Sequence, residues 1–336
     1  MMRVGIIGLG AIASHHIKAI NALDELKLHS VCRRNKEELN KFCREYGVKG
    51  FTDYKELLKD GVDIAVIALP HALHYEVGME ALDYGCHVVM EKPFAVTMEQ
   101  CKNLYKKAKK KNLKIVTSDS VYHLPKIKKA REIVGSGKLG KFISAAIINY
   151  KDYYFHPQRP RWFLDPKIAG GGQLLNVGVH RVAFIRSIVG NGEKTVKASV
   201  GFFEPGYKVE GNGLIFIGYK DSSAAVIEEI GYYKLHPNLD KCSHFNFEKG
   251  VINLSGKLNI VYKDGSIEYL KIPQEEGSVY LPHYKQLFTA IEENRYPYPG
   301  VREGIMDVRV ILAAYESAKT GKEVRLDVPD WELDID

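Results

Sequence analysis

The chain has 336 residues, of which 45% are hydrophobic and 26% charged, and its net charge is +7. A single hydrophobic core rarely grows beyond about 250–300 residues, so this length predicts two domains. The composition is that of a globular protein and excludes a disordered or fibrous chain. The longest apolar runs, such as residues 64–69, are much shorter than the ~20 residues that cross a membrane, so no membrane partner is expected.

Neither the charge nor the cysteine pattern indicates a nucleic-acid or metal partner. The basic run at residues 106–111 ends an amphipathic helix, where cations are favourable, and no nucleic-acid-binding motif accompanies it. The five cysteines are scattered without the paired spacing of a zinc site, which is typical of reduced packing residues. The first strand follows Met1 closely, so we expect no signal peptide and predict a cytoplasmic protein.

Up to about residue 120, short apolar runs alternate with stretches of helical periodicity, which is typical of βαβ units around a parallel sheet. The predicted strands are residues 4–8, 27–32, 50–52, 63–69, 87–90 and 113–117. The predicted helices are residues 11–23, 36–46, 74–84 and 97–111. Thr97 with Gln100 forms a capping box at the start of the last of these helices.

Beyond residue 122 the pattern changes to that of antiparallel strands with one buried face. Strands are predicted at residues 142–150, 196–203, 214–219, 224–230 and 251–254, and helices at 125–135, 173–189 and 302–319. We therefore predict a Rossmann domain at residues 1–122 with a doubly wound, mostly parallel sheet. Residues 123–336 would form an α+β domain on an open, mostly antiparallel sheet, for substrate binding and oligomerisation, with an acidic, solvated tail.

The turn after the first strand carries a dinucleotide-binding motif, GLGAIA at residues 8–13. Gly8 permits the tight turn, Gly10 lets the backbone approach a pyrophosphate, and the small Ala13 allows close helix–strand packing. The helix N-terminus that follows, with Ala11 and Ile12, would face the phosphates.

Arg33 and Arg34 end the second strand, about 20 residues beyond this motif, where NAD enzymes usually carry an acidic residue for the ribose 2′-hydroxyl. A guanidinium grips a 2′-phosphate that a carboxylate would repel. We therefore predict NADP as the preferred cofactor, with NAD possible and Arg33 the better candidate. A solvated basic strand end is the alternative interpretation.

Four further motifs lie along the chain: LPHALH at residues 69–74, EKP at 91–93, GGGQLLNVGVH at 170–180 and AAYESAKTGK at 313–322. Together with the glycine motif, they make the chain resemble the Gfo/Idh/MocA oxidoreductase family over essentially its whole length. The resemblance implies a Rossmann domain followed by an open sheet, with a sugar, inositol, keto-sugar or nucleotide sugar held between them. It also implies that Lys92 is the catalytic lysine, that His180 is the acid/base, and that Pro93 forms a cis bond. Asn176 stands where many members carry an aspartate.

The chemistry of these residue types agrees with such roles. Hydride transfer to or from an alcohol carbon requires a group that takes or gives the hydroxyl proton, and Lys92 or His180 can do so. Asn176 cannot ionise, so it is predicted to orient the substrate or His180, to which it is related by i, i+4 helical spacing.

Weaker candidates surround these residues. Residues after the fourth and fifth strands are predicted to contact the cofactor: Leu69, Pro70, His71, His74, Glu91 and Lys92. His74 has the alternative role of starting a helix. Substrate contacts are predicted for Tyr122, Arg161 and Trp162 besides Lys92, Asn176 and His180, and more weakly for Tyr153, Tyr154, His156 and Arg159. His15 and His16 are expected to pack or to face solvent.

The predicted function is that of an NAD(P)-dependent dehydrogenase or reductase acting on a polyhydroxylated small molecule, as a homodimer or homotetramer formed by the C-terminal domain. Two alternatives share the fold. One is NAD-dependent glycoside cleavage with a tightly held cofactor, and the other is a non-catalytic nucleotide-sensing regulatory protein.

Overall fold

A computed structural model of the protein describes residues 1–150, 154–232, 243–273 and 277–326. Tyr153 and the acidic tail lie outside these residues. The described residues form two compact units, of which the first contains residues 1–120 and 277–305 and the second contains the described residues of 121–273 and residues 306–326. The first boundary lies close to the predicted one at residue 122. The return of residues 277–305 to the first unit was not predicted.

The first unit is built on a parallel sheet with the strand order β3-β2-β1-β4-β5-β6 among the described residues. Its strands are β1 (Met2–Ile7), β2 (Leu26–Cys32), β3 (Lys49–Phe51), β4 (Ile64–Ile67), β5 (His87–Glu91) and β6 (Ile115–Ser118). Its first helices are α1 (Ala13–Ile20), α2 (Lys36–Tyr46), α3 (Tyr54–Lys59), α4 (Leu73–Asp83) and α5 (Met98–Lys111). This is the predicted doubly wound order.

Side-chain caps start the helices where the sequence carries short polar residues. Thr97 Oγ1 accepts a hydrogen bond from the backbone N–H of Gln100 at 3.2 Å, which confirms the predicted capping residue of α5. The Gln100 side chain accepts from the N–H of Val96 at 3.2 Å, one residue before the cap. The short helix α3 was missed, although Asp53 caps it by accepting from the N–H of Lys55 at 2.9 Å.

The second unit contains a sheet with the order β14-β13-β12-β11-β7-β10-β9-β8-β15 among the described residues. Its earlier elements are α6 (Pro125–Gly135), β7 (Phe142–Tyr150), α7 (Pro166–Ala169), α8 (Val179–Val189), β8 (Glu193–Gly201), β9 (Asn212–Tyr219), β10 (Ala224–Ile230), β11 (Ser243–Phe247), β12 (Gly250–Asn253), β13 (Asn259–Tyr262) and β14 (Ile267–Tyr269). The remaining elements of the chain are α9 (Leu281–Glu292), α10 (Val301–Thr320) and β15 (Val324–Arg325). Within the described strands, β7 and β10 pair in parallel and the other neighbours are antiparallel, which confirms the predicted fold class.

Helix α9 explains why the chain returns to the first unit. Its Tyr284 and Leu287, with Tyr280 just before it, belong to the same buried apolar cluster as Val4 and Val116 of the parallel sheet. Burial of such side chains contributes about 1.5–3 kcal/mol each, so this segment completes the core of the Rossmann unit. The predicted boundary at residue 122 was therefore wrong in one respect, since a later segment returns to the first unit. The apolar face of α9 packs against residues more than 150 positions earlier in the chain.

The sheet of the second unit has one buried and one open face. Along β9, Ile215 and Ile217 are buried, whereas Leu214 and Phe216 are 50% and 45% exposed. The alternation continues in β10, where Ala225 is buried. The open face therefore presents large apolar side chains. In the part of the chain that the structure describes, no helix is both long and apolar enough to cross a membrane.

Candidate active site

The turn after β1 has the geometry that its glycines predict. Gly8 has a φ of +103°, and a Cβ there would lie 2.1 Å from the carbonyl oxygen of Ala68, so only glycine fits. A Cβ at Gly10 would meet no atom within 4 Å, so the backbone faces open space on that side. Ala11 and Ile12 follow in a turn, and α1 begins at Ala13, slightly later than predicted. This is a cradle that a pyrophosphate can approach closely.

The sheet brings the predicted nucleotide-binding segments to one edge. Because β2, β1, β4 and β5 are neighbours and parallel, their carboxyl ends lie side by side. The segment after β4 begins with Leu69, whose side chain lies beside the turn, at 3.2 Å from the position of a Cβ on Gly8. Pro70 accepts a hydrogen bond through its carbonyl from the N–H of Leu73 at 2.9 Å, which leads into α4. Ligands of open α/β sheets bind at such an edge.

Arg33 lies at this edge with an acidic partner that sequence reasoning missed. Its guanidinium donates to the carbonyl oxygen of Leu9 in the glycine turn and pairs with the carboxylate of Glu38 in α2. Arg34 is exposed. The sequence could have indicated Glu38, because it stands three residues after Asn35, whose side chain caps α2. A 2′-phosphate at this edge would meet one guanidinium that is already paired with a carboxylate.

The two histidines after β4 are both buried. His71 is 4% exposed, and His74 is fully buried. The ring nitrogens of His74 lie 2.8 Å from the carbonyl oxygen of Pro93 and 2.9 Å from that of Leu69. Burial lowers the pKa of His74. The prediction of a cofactor contact for His74 is corrected here, because its polar atoms instead connect the segment after β4 with the segment after β5.

The EKP segment continues from the end of β5. The Lys92–Pro93 bond is cis, as the resemblance implied, and Lys92 is partly exposed. Glu91 is 6% exposed, and its Oε1 lies 3.0 Å from Nε2 of the buried His16. Glu91 therefore points into the unit, which corrects its predicted cofactor contact, and His16 has a specific polar partner that packing alone did not predict.

In the second unit, a buried carboxylate holds the glycine run in place. Glu210 is 2% exposed and accepts hydrogen bonds from the N–H of Gly172 at 2.7 Å and from that of Leu174 at 2.9 Å. The hydroxyl of Tyr315 donates to the same carboxylate at 2.6 Å. A Cβ at Gly172 would lie 2.1 Å from the carbonyl oxygen of Glu210, so this close approach requires glycine. These bonds satisfy N–H groups at the start of the following helix.

Asn176 and His180 lie in this helix, but its first turn is not α-helical. Residues Leu174–Gly178 form a π turn, and the regular helix α8 begins at Val179. Asn176 is 4% exposed and His180 is partly exposed. The wider turn changes the angle between the two residues, so the 3.6-residue spacing used for the prediction does not apply across this pair. Such π turns are frequent at functional sites.

Tyr122 belongs to a buried ion network, not to a substrate-facing surface. It is 1% exposed and its hydroxyl donates to Asp307 Oδ2 at 2.8 Å. Arg186 pairs with the same carboxylate at 2.7 Å and with Glu193 at 3.1 Å. The predicted substrate contact of Tyr122 is therefore corrected. The sequence carried no local signal for this network, because its members come from separate elements.

The remaining candidates cluster around residues 154–164. Arg161 is exposed at the start of a 3₁₀ turn, and the ring of Trp162 stacks on Phe163 with centroids 3.7 Å apart. Arg159 is buried, with its guanidinium carbon 3.8 Å from the Phe163 ring centroid. Tyr154 is also buried and donates to the carbonyl of Phe163 at 2.8 Å. His156 is exposed as well, so His156, Arg161 and Trp162 are the candidates of this segment whose exposure allows them to contact a ligand.

Among the described residues, no group of three or more His, Cys, Asp or Glu side chains is placed to hold a metal ion.

The chain belongs to the Gfo/Idh/MocA family. Residues 2–119 match its oxidoreductase family with an NAD-binding Rossmann fold, and residues 127–252 match its C-terminal domain.

Relatives of this chain include several dehydrogenases. The scyllo-inositol 2-dehydrogenase (NADP(+)) of Bacillus subtilis is 23% identical, covering 88% of this chain and 90% of that enzyme. The D-glucoside 3-dehydrogenase of Escherichia coli is 24% identical, covering 97% of each. A levoglucosan dehydrogenase of Pseudarthrobacter phenanthrenivorans is 28% identical, but this match covers 56% of this chain and 51% of that enzyme, about half its length.

Solved structures share the fold over nearly the whole chain. A levoglucosan dehydrogenase in complex with NADH and L-sorbose superimposes with a TM-score of 0.88 at 20% identity, covering 97% of this chain and 99% of that one. An oxidoreductase domain protein from Kribbella flavida gives a TM-score of 0.86 at 20% identity, covering 98% and 100%. At this level of identity the likeness shows the fold alone.

Proposed function

We propose that the protein is an NAD(P)-dependent dehydrogenase or reductase acting on a hydroxyl or carbonyl carbon of a sugar, inositol or related polyol. The observation that carries the proposal is the edge of the parallel sheet, where the open cradle at Gly10 and the partly exposed Lys92 come from strands separated by β4 alone. The substrate class is inferred from relatives that are named for inositol, glucoside and levoglucosan.

Lys92, His180 and Asn176 have different roles in such a reaction. When bound, the nicotinamide ring supplies or accepts the hydride. We propose that Lys92 binds and polarises the substrate oxygen, and that His180 takes or gives its proton, since an imidazole titrates near neutral pH. Asn176 orients the substrate or His180, because an amide donates and accepts hydrogen bonds but does not exchange protons at this pH.

A substrate screen tests the proposal directly. NADPH and NADH oxidation, and NADP and NAD reduction, are followed spectroscopically against a panel of aldoses, ketoses, inositols, glycosides and anhydrosugars. Turnover with at least one member is expected. Glycoside cleavage with no net change in added nicotinamide would favour the alternative with retained cofactor. No turnover, combined with a conformational change on cofactor binding, would favour a regulatory protein.

The glycine turn gives a prediction with an internal control. Gly10→Ala is expected to leave the free energy of unfolding unchanged, because its Cβ meets no atom within 4 Å. The same methyl group would stand where the pyrophosphate approaches, so the affinity for NADPH should fall roughly tenfold or more. Gly8→Ala should instead destabilise the fold, on the order of 1–3 kcal/mol, through its left-handed φ. Fluorescence titration and urea unfolding measure the two effects; unchanged NADPH affinity in Gly10→Ala would contradict the proposed cradle.

For the cofactor, we propose a preference for NADP(H) that Arg33 and Arg34 create and Glu38 limits. Glu38→Gln is expected to strengthen NADPH binding several-fold with little change for NADH, because it removes a carboxylate beside the phosphate-binding guanidinium. Arg33→Ala should weaken NADPH far more than NADH. Glu37→Gln, which removes the same charge from the first turn of α2, is the matched control. Equal affinities for both cofactors in the unmodified protein would refute the preference.

We also propose a homodimer or homotetramer that covers the open face of the second unit's sheet. Phe216→Lys, at an apolar side chain that is 45% exposed, should weaken assembly, because burying an unpaired ammonium at an apolar interface is costly. Asn40→Lys adds the same charge at an exposed position of α2 and serves as the control. Light scattering at micromolar concentration measures the mass, and a monomeric unmodified protein would end the proposal.

The proposed cellular location rests on the state of the cysteines. Free thiols at Cys32, Cys43, Cys86 and Cys101 favour a reducing compartment. We propose the cytoplasm, which cell fractionation tests.

A further inference from the structure

A chain of three buried polar side chains ends at Glu91, the residue before Lys92. Nδ1 of His16 lies 2.8 Å from the hydroxyl oxygen of Tyr284, and Nε2 of the same ring lies 3.0 Å from Glu91 Oε1. His16 is fully buried, Tyr284 is 1% exposed and Glu91 is 6% exposed. The three residues come from α1, from α9 and from the end of β5. No part of the proposed reaction described above uses His16 or Tyr284.

The hydrogen-bonding capacity of the three groups gives this chain a direction. An ionised carboxylate only accepts, so Nε2 of His16 must carry the proton that is donated to Glu91. Nδ1 of a neutral imidazole is then an acceptor, and the Tyr284 hydroxyl donates to it. Burial raises the pKa of Tyr284 well above its ordinary value, which keeps the phenol protonated. In this arrangement both ring nitrogens of His16 and the Tyr284 hydroxyl have a hydrogen-bond partner.

The chain keeps Glu91 ionised in a place where burial alone would neutralise it. Burial acts to raise the pKa of Glu91, but the hydrogen bond from His16 and the electrostatic influence of His16, Lys92 and His74 outweigh it, so the pKa is lowered. Lys92 is the next residue in the chain. The Glu91 carboxylate and the Lys92 ammonium act on each other electrostatically, and a carboxylate favours the charged form of such an ammonium, an effect that the low dielectric of a buried site strengthens.

Several other titratable groups surround the carboxylate, and one of them, Tyr280, also interacts with Glu91 through a side-chain hydrogen bond. The ring of Tyr280 lies edge-on to that of His16 with centroids 4.6 Å apart, and burial lowers the pKa of His283 to about 4, which keeps that ring neutral. The groups that act electrostatically on Glu91 or on these neighbours are Lys92 beside it, His74 of α4, His16 of α1, Tyr280 before α9, His283 and Tyr284 of α9, and Asp119 after β6.

We propose that the Tyr284–His16–Glu91 chain is a positioning device for Lys92, which holds an ionised carboxylate beside the lysine and so sets the protonation state in which Lys92 meets the substrate. The proposal rests on the proposed function for its biological meaning. His16, Tyr284 and Glu91 are positioning residues, since they act through Lys92 and not on the reacting atoms. The second buried histidine, His74, holds the carbonyl of Pro93 from the other side of the segment.

The test measures the protonation of Lys92 without any substrate. The full-length protein is labelled with acetic anhydride across a pH series, and mass spectrometry of the Lys92 peptide gives the pKa of that single amine, with the exposed Lys106 as an internal reference. Glu91→Gln should lower the pKa of Lys92 by about one unit or more, because it removes the neighbouring negative charge. His16→Ala should act in the same direction, since Glu91 then becomes protonated more easily. Tyr284→Phe should give a smaller shift.

The controls separate this effect from general damage. His16→Gln keeps an N–H that can reach Glu91, so it should restore most of the shift seen in His16→Ala. His15→Gln, at the exposed neighbouring position of α1, should leave Lys92 unchanged. If His16→Ala fails to fold, Tyr284→Phe removes only one hydroxyl and answers the same question. Once a substrate is known, the limb of the kcat profile that reports Lys92 should move to lower pH in the same variants.

The outcomes distinguish this proposal from the proposed function. A lowered pKa of Lys92 in Glu91→Gln and His16→Ala supports the positioning chain even if the substrate screen finds no turnover. An unchanged pKa of Lys92 in both folded variants overturns it, whatever the protein reduces or oxidises.

Discussion

Lys92→Ala and His180→Ala are each expected to lower kcat by about 10²–10⁴-fold, the usual contribution of a positioned acid or base. The dissociation constant for NADPH should remain nearly unchanged, because the cradle at Gly8 and Gly10 is intact in both variants. If the two residues act on one substrate oxygen, the double variant should lose much less than the product of the two single losses. Steady-state kinetics on the substrate found by the screen measures kcat for the single and double variants. Fluorescence titration measures the dissociation constant for NADPH.

The controls for this prediction are Lys106→Ala and His15→Ala, which remove the same side chains from exposed positions of α5 and α1. Turnover at the unmodified level in both Lys92→Ala and His180→Ala would refute the assignment. Asn176→Ala should act mainly on KM. Asn176→Asp restores an ionisable neighbour and should move the limb that reports His180 to higher pH, because a carboxylate favours the charged imidazole.

Arg186→Met is expected to lower the free energy of unfolding by about 3–5 kcal/mol, more than any other substitution proposed for this protein. Arg186, Asp307 and Glu193 are each at most 5% exposed, and the guanidinium is the cation of this network. Without it, two buried carboxylates remain in one place, and each would have to be protonated or hydrated. Replacing one partner of a buried ion pair is costly for this reason, whereas an exposed charge contributes little.

Urea unfolding followed by circular dichroism measures this loss, and Arg44→Met, at an exposed position of α2, is the matched control. Arg186→Met should also recover part of its stability as the pH falls, because protonation removes the charge from the two carboxylates that have lost their cation. A variant that unfolds at the same urea concentration as Arg44→Met would show that the network does not stabilise the second unit.

The sequence by itself determined the features that depend on neighbouring residues. The glycine turn after β1 follows from the φ that Gly8 must adopt, and the start of α5 follows from the Thr97 cap. The parallel sheet follows from alternating apolar runs, and the limits of α2, α6 and β10 were predicted to the residue. Each of these rests on steric or hydrogen-bonding rules that act within a few residues of the chain.

Only the tertiary structure decided which polar side chains meet. His16 contacts Glu91 and Tyr284, which lie 75 and 268 residues away, and Tyr122 reaches Asp307 across 185 residues. No local pattern encodes such pairs, because they depend on which strand ends and helix faces the folded units bring together. The same reason explains why α9 was missed as part of the Rossmann core. It also explains why the sequence marked Glu91, His74 and Tyr122 as ligand contacts, whereas the fold buries them as internal hydrogen-bonding partners.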